Sequence, residues 1–343
     1  MPSIGMGRLT EFARELLAKK GVPAAAARRV ADVVVQTEAF GVTTHGLAFL
    51  TYADGAIPSI VDPAATPRVV RRKGAGILVD ARRGFSQLAL DLAVDLALRA
   101  SRRSGVAMVG VRNAGWLGAV GVHLLPVVRA GFLAQLWAQT NTCKDCAPIG
   151  GLDATFSTNP VALAFPTGGD PVIADFSSAA VSMGKVNRMI RRGERAPERI
   201  FQDRDGRLTE DPGVVPQGGS ILFLGGEHYG HKGFGLSLWC ESLVAVAGGS
   251  CNNPGLPTSQ SFTLIVVDPD AFAGREAYMT EMKRFVSHVK ASRRRPGVPA
   301  IRLPGERGLA ALREAERSGV PVEDAMLVRL NELAAKHGMA PMS

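Results

Sequence analysis

The chain is 343 residues long, 46% hydrophobic and 21% charged, with 40 Lys and Arg against 31 Asp and Glu and a formal charge of +9. Such a composition buries a sizeable core in two domains or one large one and excludes disordered and fibrous classes. With 6% aromatics and no nucleic-acid motif, the scattered Arg doublets describe a solvated surface first and a small anionic ligand second.

Taken in chain order, the pattern opens with helices. Leu9–Lys20 and Ala24–Ala39 carry apolar residues three and four apart, the second behind Pro23, a favoured first-turn residue. The N-terminus lacks the apolar run of a signal peptide, so the cytoplasm is the expected compartment. From about Arg68 short apolar runs take over: Ile77–Val79, Val106–Val111, Phe132–Trp137, Pro160–Phe165 and Val172–Ala174. Helical periods at Phe85–Ser101 and Leu117–Ala130 fall between them, which describes a mixed α/β region. A helix at Gly233–Ala247, a strand at Phe262–Val267 and a helical pattern over Asp270–Ala291 follow, and Glu306–Ser318 and Val322–His337 are helical again. The apolar stretch Leu236–Gly249 carries Glu241 and falls short of the ~20 residues that span a bilayer. Residues 1–65 and 300–343 are therefore expected to form one discontinuous helical domain around an α/β domain of residues 66–299.

Standard phosphate loops are missing. Gly115, Gly118 and Gly121 are spaced three apart, not as G-x-G-x-x-G, and Ala179 and Val186 spoil a P-loop around Gly184-Lys185. Cys143 and Cys146 have C-x-x-C spacing without a second pair, which reads as two ordinary loop cysteines, and no metal is expected. Among the histidines, His288 and His337 sit in charged helical contexts and His123 among apolar neighbours. Thr44-His45-Gly46 differs: a hydroxyl, an imidazole and a flexible joint follow a helix end in one turn.

The segment Asn141–Lys185 resembles the malate/L-lactate/sulfolactate dehydrogenase family, which also holds ureidoglycolate dehydrogenases and cyclic imine reductases. The likeness is carried by Ala147-Pro148-Ile149-Gly150-Gly151, Thr158-Asn159-Pro160 and Asp175-Phe176-Ser177-Ser178 through Gly184-Lys185, then by Gly230-His231-Lys232-Gly233 and Arg302-Leu303-Pro304-Gly305-Glu306. It implies an NAD- or NADP-dependent oxidoreductase acting on a small molecule, usually a homodimer, with the cofactor on a largely antiparallel sheet rather than a Rossmann fold. Carried over by position, His45, Leu117, Gly118, Ala119, Val120, Asp175, Phe176 and Ser177 border the cofactor. Lys232 with Gly233, and Gly305 with Glu306, lie along its phosphate and ribose portions, and Thr158 falls on the substrate side.

Two departures bear on chemistry. Where family members read Ser-His-Gly-x-x-Arg, this chain has Thr44-His45-Gly46-Leu47-Ala48-Phe49, so the Arg that grips a carboxylate is replaced by Phe49. Where they read N-x-x-H-F-G, it has Asn113-Ala114-Gly115-Trp116-Leu117-Gly118; an indole N–H donates a hydrogen bond but shuttles no proton. Reduction of a protonated imine needs no proton at the moment of transfer, so the leading expectation is a reductase of a C=N or unusual C=O substrate. Phe49 and Trp116 would line its pocket, His45 held by Thr44 would handle protons, and Lys185 is a second candidate. The alternatives are an ordinary 2-hydroxy/2-oxo acid dehydrogenase with His45 or a shifted His123 as base, and a cofactor-binding homologue without activity.

Overall fold

A computed structural model describes residues 1–342. The chain begins with a two-residue strand, β1 (Ser3–Ile4), then α1 (Met6–Lys19) and α2 (Ala24–Ala39), the amphipathic pair that the apolar spacing foretells. A third helix, α3 (Ala48–Ala56), follows the Thr-His-Gly turn directly and was not expected. Next come β2 (Arg68–Lys73), β3 (Gly76–Asp80), α4 (Ser86–Ser104) and β4 (Val106–Ala114). Strand β2 escaped prediction because it is solvent-exposed along its whole length and has no buried face to impose alternation; its charged side chains suit a sheet edge.

The helical period over Leu117–Ala130 does not become one helix. Residues 115–120 are irregular, a 3-10 turn covers Gly121–Leu124, and only α5 (Leu125–Arg129) is α-helical. Gly118 sits at φ +82°, a conformation open to glycine and incompatible with continued helix. Strands β5 (Leu133–Thr140), β6 (Pro160–Phe165) and β7 (Val172–Ser177) lead to α6 (Met183–Arg192), whose Ser182 cap accepts from the Lys185 N–H.

Short strands β8 (Phe201–Gln202), β9 (Leu208–Thr209) and β10 (Ser220–Ile221) pair among themselves. With α6 they enclose a small core of Cys146, Val186, Phe201, Ile221 and Phe223. The remaining elements are α7 (Gly226–Tyr229), α8 (His231–Val246), β11 (Gln260–Val267), α9 (Arg275–Lys290), α10 (Glu306–Ser318), β12 (Val320–Pro321) and α11 (Asp324–Lys336).

The main sheet runs β2-β3-β4-β11-β5-β6-β7, antiparallel throughout except for the parallel pair β3–β4. Helix α4 covers one face and α8 the other. The first face is sealed by a continuous apolar cluster that runs from Leu9 and Val30 through Leu90 and Val109 to Leu264 and Leu330. The chain ends meet: β1 pairs with β12, α10 lies on α2, and α11 on α3. Among the described residues no helix is long and apolar enough to cross a membrane.

Candidate active site

A cleft of about 640 Å³ opens at one end of β5, β6 and β11, between the turn after α2, the loop before the 3-10 turn, α6 and α11. Its first wall is built by Gly46. A Cβ there would collide with the Glu38 backbone and carboxylate, so only glycine lets the turn press on α2. Glu38 Oε2 then accepts the Leu47 N–H at 2.8 Å. This carboxyl is buried, and burial pushes its pKa up to about 7, with Glu323 adding in the same direction. His45 lines the cleft beside Thr44, its Nδ1 2.7 Å from Thr44 Oγ1, and burial pushes the imidazole down to about 4. The ring is therefore neutral at neutral pH, a hydrogen-bond partner and a weak base rather than a stored acid.

Trp116 forms the second wall, its ring centroid 5.6 Å from that of His45. Phe49 is not at the wall. It is 1% exposed and stacks behind Trp116 at 5.7 Å and 12°, while Tyr52 meets the indole edge-on at 5.0 Å. The unforeseen α3 explains the shift: positions 49 and 52 share its inner face and become an aromatic bed that fixes the indole. Phe49 thus acts on the pocket through Trp116 rather than by touching a ligand.

Thr158, Leu117, Gly118 and Val120 line the cleft. Asp145, between the two cysteines, lines it too; it accepts the Thr158 N–H at 3.2 Å, and burial raises it to about 6. Cys143 is raised to about 12, mainly by burial, and Cys146 well above its ordinary value, so both thiols stay protonated.

Lys185 is exposed and does not line the cleft. Helix α6 turns Gly184, Asn187, Arg188 and Arg191 inward, a three-and-four spacing that puts Lys185 about 100° away on the outer side. His123 is also removed from the chemistry: it is buried on the 3-10 turn and lines a separate small cavity with Arg29 and Asp91.

The cofactor-side residues divide. Asp175 Oδ2 accepts the Val120 and Gly121 N–H groups at 3.1 and 2.7 Å, and Ile173 of the same strand donates to Pro304, next to Gly305. A strip from the 117–120 loop across β7 to Gly305-Glu306 therefore exists, with Ala119 buried beneath it and Glu306 paired to Lys290. The N–H groups of Gly118 and Ala119 donate to no acceptor among the described residues, and the glycine backbone is approachable, which suits a polar cofactor.

Phe176 is not part of that strip. Strand alternation turns it away from Asp175, towards Trp137 and Leu236. Ser177 bonds the Ala179 carbonyl at 2.9 Å. Gly233 is buried by close packing on Ser178 and Leu224, and exposed Lys232 stands over the Tyr229 ring at 4.9 Å, outside the cleft. Sequence reading missed Glu38, Asp145, Arg188, Arg191 and Arg329, all of which line the cleft. The one available signal was a charged residue inside an apolar run, as at Glu38.

The model of a family described as malate/L-lactate dehydrogenase matches residues 4–331. A malate dehydrogenase of Pyrococcus abyssi is 30% identical, over 96% of this chain and 94% of its own length. A Delta(1)-pyrroline-2-carboxylate/Delta(1)-piperideine-2-carboxylate reductase of Pseudomonas putida is also 30% identical, over 95% of each chain. The solved malate dehydrogenase of Pyrococcus horikoshii OT3 superimposes with a TM-score of 0.88 at 29% identity, over 99% of this chain and 97% of that one.

Proposed function

This chain belongs to the malate/L-lactate dehydrogenase family, a family of oxidoreductases, and we propose that within it the chain is an NAD- or NADP-dependent reductase of a small C=N substrate. The observation that carries this reading is Trp116 on the cleft wall beside His45, at the place where the resemblance puts a proton-shuttling histidine. When bound, the reduced nicotinamide supplies the hydride. The strip of Gly118, Ala119, Val120, Asp175 and Gly305 would hold the cofactor, its free N–H groups meeting ligand oxygens.

Each remaining part has a physical task. Trp116, braced by Phe49 and Tyr52, presents a polarisable face to a cationic iminium carbon and nitrogen. Above their raised pKa values Asp145 and Glu38, both buried, become carboxylates that would hold that cation. His45 stays neutral at neutral pH and has no acidic proton to give, which does not impede an already protonated substrate. A second reading, an ordinary 2-hydroxy/2-oxo acid dehydrogenase, would use the same His45 as its base, a weak one with burial pushing it to about 4. We also propose a homodimer that works in the cytoplasm. Support for the pairing comes from α8, whose outer face leaves Leu238, Trp239 and Val246 48%, 53% and 67% exposed.

Steady-state turnover of NADH and NADPH separates the two chemistries. Δ1-pyrroline-2-carboxylate and Δ1-piperideine-2-carboxylate should be reduced with higher kcat/KM than pyruvate or oxaloacetate. Trp116→His should raise oxo-acid reduction by roughly 100-fold, within the range of general acid–base contributions. Oxo acids reduced as well as imines by the unaltered chain would defeat the imine reading.

A further inference from the structure

The lining of the cleft is rich in arginine. Arg188, Arg191 and Arg192 reach it from α6 and Arg329 from α11. Arg192 is engaged, 3.3 Å from Glu323 and 3.6 Å from Glu194. Arg188, Arg191 and Arg329 have no ion-pair partner among the described residues, whereas many other arginines, such as Arg29, Arg112 and Arg313, face a carboxylate. Arg188 Nε is enclosed by protein and meets no hydrogen-bond acceptor.

Arg188, Arg191 and Arg329 gather in the cleft without an ion-pair partner of their own among the described residues, Glu323 being paired with Arg192, so they repel one another, and an enclosed donor without an acceptor is costly. Arg191 shows the strain: its acidity is raised by burial first and then by Arg329, Arg192 and Arg188, with Glu323 only partly opposing them. An oxyanion entering the cleft would relieve both defects, and a guanidinium fork meets a carboxylate with two parallel hydrogen bonds. Position 49 has no such group to offer, since Phe49 is sealed behind Trp116.

We propose that Arg188, flanked by Arg191 and Arg329, is the anion subsite of the cleft and grips the carboxylate of the substrate. This rests on the reductase reading above and deepens it: the substrate is a small 2-imino acid, oriented with its carboxylate at α6 and its C=N bond at Trp116 and His45. Substrate charge is thereby read from α6 instead of from the turn after α2. A phosphate on the cofactor is the other oxyanion that such a fork would accept.

The test is binding of pyrrole-2-carboxylate, a planar unreactive mimic, measured by titration calorimetry, alongside NADH and NADPH binding measured by fluorescence. Arg188→Met should weaken pyrrole-2-carboxylate by about 10- to 100-fold, the span of a charge-assisted hydrogen bond, and leave both nucleotides within twofold. Arg188→Lys should recover part of the loss. Arg191→Met, on an exposed part of α6, gives a smaller loss in the same direction and serves if Arg188→Met does not fold.

Unchanged carboxylate affinity in these variants, or no binding to the unaltered chain, overturns the subsite. Selective loss of NADPH binding overturns it in favour of a cofactor phosphate. Arg188-dependent carboxylate binding without imine turnover would sink the reductase reading while the subsite stands. Imine turnover indifferent to Arg188 would do the reverse.

Discussion

Glu38 shows how one residue joins stability to the site. The residue is 4% exposed and its carboxyl accepts the Leu47 N–H, yet burial raises its pKa to about 7. Because the folded value lies above the ordinary one, its contribution to stability is whole below about pH 4 and is lost as pH rises through 7. Glu38→Gln keeps an oxygen for Leu47 and has nothing to ionise. Between pH 5 and 8 the unaltered chain should therefore lose about 2.5 kcal/mol relative to this variant, since each tenfold change in proton affinity is worth ~1.4 kcal/mol. Parallel melting profiles for the two proteins across that window would show that Glu38 does not titrate there. Residue identity alone also marked Thr44, His45 and Trp116, because a hydroxyl, an imidazole and an indole each carry a distinct chemistry. It missed Asp145 and Arg188, whose types are commonplace and whose significance comes from the walls around them.

At the scale of elements, most strands and helices lie where apolar spacing puts them, since a face that must be buried writes its period into the chain. The exceptions have physical reasons. Strand β2 buries nothing, and α3 follows its preceding turn without a side-chain cap. Helix α6 fully buries only Val186; its apolar stripe, Met183, Val186 and Met189 against the small core, is short and interrupted by polar residues and Arg doublets, too brief a period to stand out in the sequence. The seating of α8 on the sheet depends on a different feature, Gly110 of β4. A Cβ at that position would come within 2.8 Å of Ala247 Cβ and 2.9 Å of its Cα, a backbone atom that cannot step aside. Gly110→Val should cost about 1–3 kcal/mol through overpacking. Gly55→Ala, in α3 with open space around it, should be neutral or stabilising by up to about 1 kcal/mol. Thermal melts of the pair check this, and equal effects would remove the packing argument.

For the whole molecule, the question is what covers α8. The helix is apolar around much of its circumference, with one side on the sheet and Leu238, Trp239 and Val246 outside, a pattern that suits a helix buried on both sides. In the proposed homodimer a second copy covers that face. Trp239→Glu would place a charge in the contact, and light scattering should then give about half the mass of the unaltered protein. An unaltered mass for that variant would locate the contact elsewhere. The +9 charge also finds a place at this scale: part of it, on α6 and α11, faces the cleft instead of solvent.

The amino-acid sequence by itself determined the family, the positions of most elements and the two departures at 49 and 116, because periodicity and motif are local properties of the chain. Tertiary structure decided which side chains share the cleft. It put Phe49 behind Trp116, turned Lys185 outward and Arg188 inward, and sent His123 to another cavity. Those outcomes depend on the rotation of a short helix and on which strand end meets which loop. Both are set by packing between residues far apart in the chain, where no local pattern reaches.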